Sequence, residues 1–106
     1  MIIYNTTFHI AFGILEEGVE FLKNEYIPSA IKNGILTHPR LCKIIHAGTD
    51  EGESFSVQFQ VENIDALNRW MEKEGNMLHH ALSTRFKEKI VGFSTLLEEI
   101  EITGHE

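Results

Sequence analysis

The side chains able to do chemistry are few, and their spacing limits what they can do. His79 and His80 are adjacent, so on a helix they point about 100° apart and cannot share one ligand face. They make no metal motif: either one is an axial ligand or a pocket base, or the pair is simply one residue against the core and one in water. Asn5 and His9 lie on the polar side of one alternating stretch and Gln58 and Gln60 on that of another. A polar small molecule, ordered waters or a structural hydrogen-bond network would satisfy them. Cys42 would become a nucleophile only with a cationic neighbour to depress its pKa. Alternation turns Lys43 to the other face and leaves His46 four residues along the same one, so a buried small hydrophobe is the expected role. The acidic runs Glu16-Glu17 and Glu98-Glu99 with Glu101 lack partners for a metal site and form solvated faces. No phosphate-binding glycine loop occurs.

Positioning falls to alternating and helical stretches. From Glu53 to Val61, apolar Phe55, Val57, Phe59 and Val61 alternate with Ser54, Ser56, Gln58 and Gln60, a strand with one face on a core. Residues 2–12 repeat this, with Tyr4, Thr6, Phe8 and Ile10 against Ile3, Asn5, Thr7 and His9. Between them, the spacing from Leu15 to Lys32 predicts a helix ending at Asn33-Gly34. Pro28 inside it predicts a kink near Asn24, or a helix in two pieces. Ile35 to Arg40 reads as a loop whose Ile35 and Leu36 cover a core edge. Leu41 to His46 is a short strand, joined through AGTDEGE into an antiparallel hairpin. Asn63 caps a second helix carrying Ile64, Leu67, Trp70 and Met71, then Leu78, Ala81, Leu82 and Phe86, with a break or bend at Gly75-Asn76. A last strand runs from about Lys89 to Ile102, with a bulge near Leu97 to Glu99 where the alternation changes phase.

Strand, helix, strand, strand, helix, strand is the split βαβ order of an α+β, ferredoxin-like sandwich. The first and third strands are central in a four-stranded antiparallel sheet, and right-handed crossovers put both helices on one face. The other face stays open.

With 106 residues, 42% hydrophobic and 24% charged, the chain is expected to form a single domain over residues 1–106. A net charge of −7 opposes nucleic acid and anionic membranes as partners. The first dozen residues lack basic residues before an apolar run, which indicates a strand rather than a signal peptide. No run approaches the roughly 20 apolar residues of a spanning helix. One cysteine excludes an internal disulfide and suits a cytoplasmic protein.

The start MIIYNTTFHI, the middle EYIPSAIKNGILTHPRLCKII and the end VGFSTLLEE resemble a family of small bacterial proteins of unknown function, over nearly the whole chain. That family is similar to the dimeric α+β barrel superfamily, in which two ferredoxin-like subunits join sheet to sheet. The resemblance implies a homodimer. The superfamily includes antibiotic-biosynthesis monooxygenases, haem-degrading monooxygenases and plain binding modules. In the haem-degrading type an Asn on the first strand works with a Trp and a His on the second helix, roles that Asn5, Trp70 and His80 would fill. Parity opposes this, because Asn5 shares its face with Thr7 and His9 and points away from Trp70.

The expectation is therefore a homodimeric binding module without established catalysis or cofactor, taking a small molecule or a protein partner. The residues for its ligand are Trp70, His79, His80, Asn5, His9 and Gln58. A small monooxygenase of the antibiotic-biosynthesis or haem-degrading type is the alternative, with substrate near Trp70, Met71, Met77 and His79 or His80. A purely structural interaction domain is the third reading.

Overall fold

A computed structural model describes residues 1–45 and 51–104. Strands β1 (Ile2–Ala11) and β3 (Gly52–Val61) pair antiparallel over their whole length, from Ile2 opposite Val61 to Ala11 opposite Gly52. With β2 (Thr37–Lys43) and β4 (Ile90–Glu98) they form one sheet ordered β2-β3-β1-β4. The two alternating strands are thus the central pair. Their apolar side, Tyr4, Phe8, Ile10, Phe55, Val57 and Phe59, is buried beneath two helical arms.

The first arm is α1 (Leu15–Phe21), a π-helical turn over Leu22–Tyr26, and α2 (Ile27–Ala30). The π turn spans Asn24, the carbonyl that Pro28 would otherwise crowd. One widened turn thus absorbs the proline at the position expected for a kink. The second arm is α3 (Ile64–Trp70), a π turn over Met71–Gly75, and α4 (Asn76–Phe86). Asn63 caps it, its side chain accepting from the Ala66 N–H at 2.8 Å. Gly75-Asn76 ends no helix: the chain widens into the π turn and continues as α4.

Two strand boundaries differ from the sequence expectation. β2 begins at Thr37, so His38, Pro39 and Arg40 are strand rather than loop, and the strand ends at Lys43. A register shift between Thr37 and Arg40 accommodates Pro39, which an edge strand tolerates because one side of its backbone has no partner. The expected end at His46, and most of the turn after it, lie outside the described residues. β4 pairs with β1 in unbroken register to Glu98 opposite Ile2, and there is no bulge. Ile100 and Ile102 lie beyond the strand and are exposed. Leu36 is fully buried, with Ile35 packed against the core. Cys42 is exposed, not buried, because it sits on an edge strand opposite Ser56 on the open face. No helix among the described residues is long and apolar enough to cross a membrane.

Candidate functional site

The helical arms cover β1 and β3 but stop short of β4. Ile90 is buried, whereas every residue from Val91 to Glu98 is exposed. The uncovered helix-side positions of β4, Gly92 and Ser94 opposite Phe8 and Thr6, floor a cleft of about 760 Å³, walled by Phe8, His79, Leu82 and Ile90 and edged by Thr6. Thr6 is the one polar residue on the buried side of β1, and its Oγ1 lies 2.9 Å from Ser94 Oγ on β4. Lys87 turns the chain out of α4 at a φ of 53°, a left-handed conformation that a lysine adopts only at a conformational cost. Lys87 and Glu88 put one charge of each sign at the mouth.

His79 carries the chemistry of this cleft. Its Nε2 lies 3.2 Å from Tyr26 Oη, and the two rings stack with centroids 6.2 Å apart and planes 9° apart. Tyr26 is fully buried and meets Phe8 edge-on at 5.4 Å. Burial lowers the His79 pKa, so the imidazole is neutral near pH 7. Burial first, and then the neighbouring Tyr4 phenol, push the Tyr26 pKa far up, so Tyr26 keeps its proton. In one tautomer Tyr26 donates to Nε2 and Nδ1–H is a donor; in the other Nε2–H donates to Tyr26 and Nδ1 is a base. A neutral imidazole and the hydroxyls of Thr6, Ser83 and Ser94 beside Phe8, Leu82 and Ile90, with Lys87 and Glu88 at the mouth, suit a molecule with an apolar body and one or two hydrogen-bonding groups.

Of the six residues singled out from the sequence, His79 alone lines this cleft. His80 is exposed, with Nε2 3.5 Å from Thr84 Oγ1. Trp70 is fully buried and donates through Nε1 to the Ala30 carbonyl at 2.9 Å, so it anchors the core and does not line this cleft. Met71 packs against that core and Met77 is 71% exposed. Asn5, His9 and Gln58 lie on the open face, across the sheet from His79. Asn5 stands opposite Gln58, accepts from Ser56 Oγ and donates to Thr7 Oγ1 at 3.4 Å. His9 Nδ1 lies 3.1 Å from Ser54 Oγ. Asn5 and His9 form the short polar contacts of a structural network, whereas the Gln58 amide makes no side-chain hydrogen bond among the described residues, and the parity expected for Asn5 holds.

A haem site on Asn5, Trp70 and His80 therefore does not fit, since the three lie on the open face, in the core and in solvent. His79, the other histidine, has its Nε2 engaged by Tyr26. Among the described residues no cluster of His, Cys, Asp or Glu could hold a metal ion.

Tyr26, Thr6 and Ser94 were not legible as site residues. Tyr26 sits in the apolar helical stripe and looks like core, which it also is. Thr6 carried a signal, a hydroxyl on a greasy strand face, but its partner Ser94 is 88 residues away and follows only from the β1–β4 register.

The fold recurs in solved structures. A Deinococcus radiodurans protein provisionally named an antibiotic biosynthesis monooxygenase superposes with a TM-score of 0.71 at 14% identity, over 100% of this chain and 99% of that one. An ethyl tert-butyl ether degradation (EthD) family protein from Bacillus halodurans gives 0.68 at 16% identity, over 94% and 100%. A dimeric ferredoxin-like protein from an uncultured marine organism gives 0.58 at 16%, over 96% and 99%. At such identities the likeness shows the ferredoxin-like fold. No curated protein matches the chain by sequence. The family model described as "Domain of unknown function (DUF4286)" matches residues 1–100, and the chain belongs to that family.

Proposed function

We propose that this chain is a single-domain, cytoplasmic homodimer that binds a small, largely apolar molecule in the cleft between α4 and the β1–β4 side of the sheet. The observation that carries the reading is His79, its Nε2 3.2 Å from Tyr26 Oη, set in a cleft of about 760 Å³ beside Phe8, Leu82 and Ile90. Such a site binds by apolar burial and selects by one or two hydrogen bonds. The homodimer is supported by the exposed Val91, Phe93 and Leu97 of β4 and by the structural neighbour named as dimeric.

Naphthol, an apolar ring system with one hydroxyl, is the probe for the test. Its fluorescence is followed in the wild type and in Ser83→Trp, which plugs the cleft from an exposed position. Saturable binding lost in Ser83→Trp supports the reading. Binding unchanged in that variant overturns it, and no binding to the wild type favours a purely structural domain.

A second reading, a cofactor-free oxygenase, is favoured by the same neutral imidazole, placed where a base could take a proton from a bound phenol. Its support from relatives is the name of the Deinococcus neighbour. Oxygen uptake with naphthol, abolished in His79→Gln, would promote it.

A further inference from the structure

On the opposite side of the sheet, a second concavity of about 450 Å³ is lined by Ile3, His38, Pro39, Arg40, Gln58 and Gln60, with Phe59. It forms where β2 leaves the regular ladder. The register shifts between Thr37 and Arg40, and His38 is held at a φ of 52°. Irregularities of this kind re-aim side chains at sheet edges, and here they gather donors. Arg40 stands directly opposite Gln58, and Thr37 opposite Gln60.

Thr37 Oγ1 donates to the Gln60 carbonyl at 3.4 Å, but among the described residues the Arg40 guanidinium and the Gln58 and Gln60 side-chain amides have no partner. The ion pairs among the described residues are Lys23–Glu20, Lys43–Glu53 and Arg85–Glu25, and none involves Arg40. Among the described residues the amides of Gln58 and Gln60 make no side-chain hydrogen bond, and His38 engages only Nδ1, 3.1 Å from Thr37 Oγ1. No Asp or Glu among the described residues lines the concavity. In a chain of net charge −7, an unpaired guanidinium beside two free amides in a concavity is a site built for an anion. Covering this face with a second copy would sharpen the need, because a buried charge without a partner is unfavourable.

We propose that this concavity binds a small organic carboxylate. The Arg40 guanidinium holds the carboxylate by two parallel hydrogen bonds, Gln58 and Gln60 donate to the same oxygens, and the apolar body lies on Ile3 and Pro39. A carboxylate matches the planar fork of one guanidinium and its single charge. Phosphate would need a further fixed cation or a helix N-terminus, and beside Arg40 the lining offers only the His38 imidazole. The site is independent of the helix-side cleft but lies on the open face that a second copy would cover, so the titration is run on the wild type and on Phe93→Asp, in which that face is expected to be free.

The test follows the side-chain NH₂ signals of Gln58 and Gln60 by NMR while benzoate, its neutral analogue benzamide, or inorganic phosphate is added. The expected result is a saturable shift with benzoate alone, at least about tenfold weaker in Arg40→Gln and intermediate in Arg40→Lys, which keeps the charge without the fork. Arg40 is exposed, so the backbone spectrum should persist; if Arg40→Gln perturbs it, Arg40→Lys decides. No saturable shift, an equal shift with benzamide or phosphate, or benzoate binding that survives loss of Arg40 would overturn the proposal. So would benzoate binding that appears only after Glu99→Gln with Glu101→Gln, which would assign the site to the acidic tail of a second copy.

Discussion

Tyr26 Oη and His79 Nε2 lie 3.2 Å apart although 53 residues separate them in the chain, and this contact joins the two helical arms at the wall of the cleft. Tyr26 closes the π turn of the first arm and His79 sits on the first turns of α4, directly after the second π turn. Each π turn rotates the segment after it relative to a regular helix.

Burial lowers the His79 pKa from its ordinary value of 6.5. Between that lowered value and 6.5 the unfolded chain holds a proton that the folded chain does not, so acidification favours unfolding. The stabilising contribution of His79 is complete above 6.5 and is lost as the pH falls towards the folded-state pKa. Urea melts between about pH 7.5 and about pH 5.5 should show a shallower acid loss in His79→Gln than in the wild type. Equal slopes would mean that His79 titrates as it does in the unfolded chain.

The core can be probed at Trp70. Truncation to Ala should cost about 3–5 kcal/mol, as for other buried aromatics. Gly75→Ala tests the same contact from the other side. A Cβ there would sit 2.5 Å from Trp70 Cζ3 and 2.6 Å from Met71 Sδ. Helix propensity alone would favour Ala by about 1 kcal/mol, yet the overlap should make the variant about 1–3 kcal/mol less stable. In a Trp70→Leu background the penalty should shrink, and a double-mutant cycle measures that coupling. Additive effects would show that the overlap with Trp70 is not the cause.

Trp70 also shows what the sequence made legible. Its place in a helical stripe marked it as core, and the strand alternation gave the central pair, the helix-covered face and the parity of Asn5. Features that depend on pairing were hidden. Ile100 and Ile102 alternate like strand residues, but β1 starts at Ile2; after the Glu99 N–H donates to the Met1 carbonyl at 3.0 Å, no strand is left to pair with. Pro39 argued for a loop, and only the edge position of β2 and its register shift permit it there. The cleft was invisible because it comes from what the helices fail to cover, which no local pattern records.

Tyr4 carries a cost that a single atom can remove. Its ring is buried, edge-on to Trp70 at 5.7 Å, and its hydroxyl, although it faces the Tyr26 phenol closely enough to raise that group's pKa, makes no well-formed hydrogen bond. A buried hydroxyl left unpaired costs about 1–3 kcal/mol. Tyr4→Phe keeps the packing and should raise stability by about 1 kcal/mol, or roughly 4–8 °C in Tm for a domain of about this size. A lower Tm would mean that the hydroxyl finds a partner in solution, such as Tyr26 or a water molecule.

The open face of β4 tests the homodimer. Phe93 is 67% exposed and Val91 53%, with Leu97 and, beside it on β1, Ile3 on the same face. Apolar side chains grouped on one side of a sheet mark a surface that another surface covers. A second copy would hide this side of both sheets, and a stable interface of this kind buries at least roughly 1,000 Å² in total. Light scattering at micromolar concentration should therefore give twice the mass of one chain, and the Tm should rise with protein concentration. Phe93→Asp puts a charge among these exposed apolar side chains while leaving the helix-covered core intact. It should give the mass of one chain and a Tm independent of concentration, with the β-sheet signal in circular dichroism retained. A wild type with the mass of one chain would remove the dimer, and a Phe93→Asp variant still dimeric would show that the subunits meet through another face.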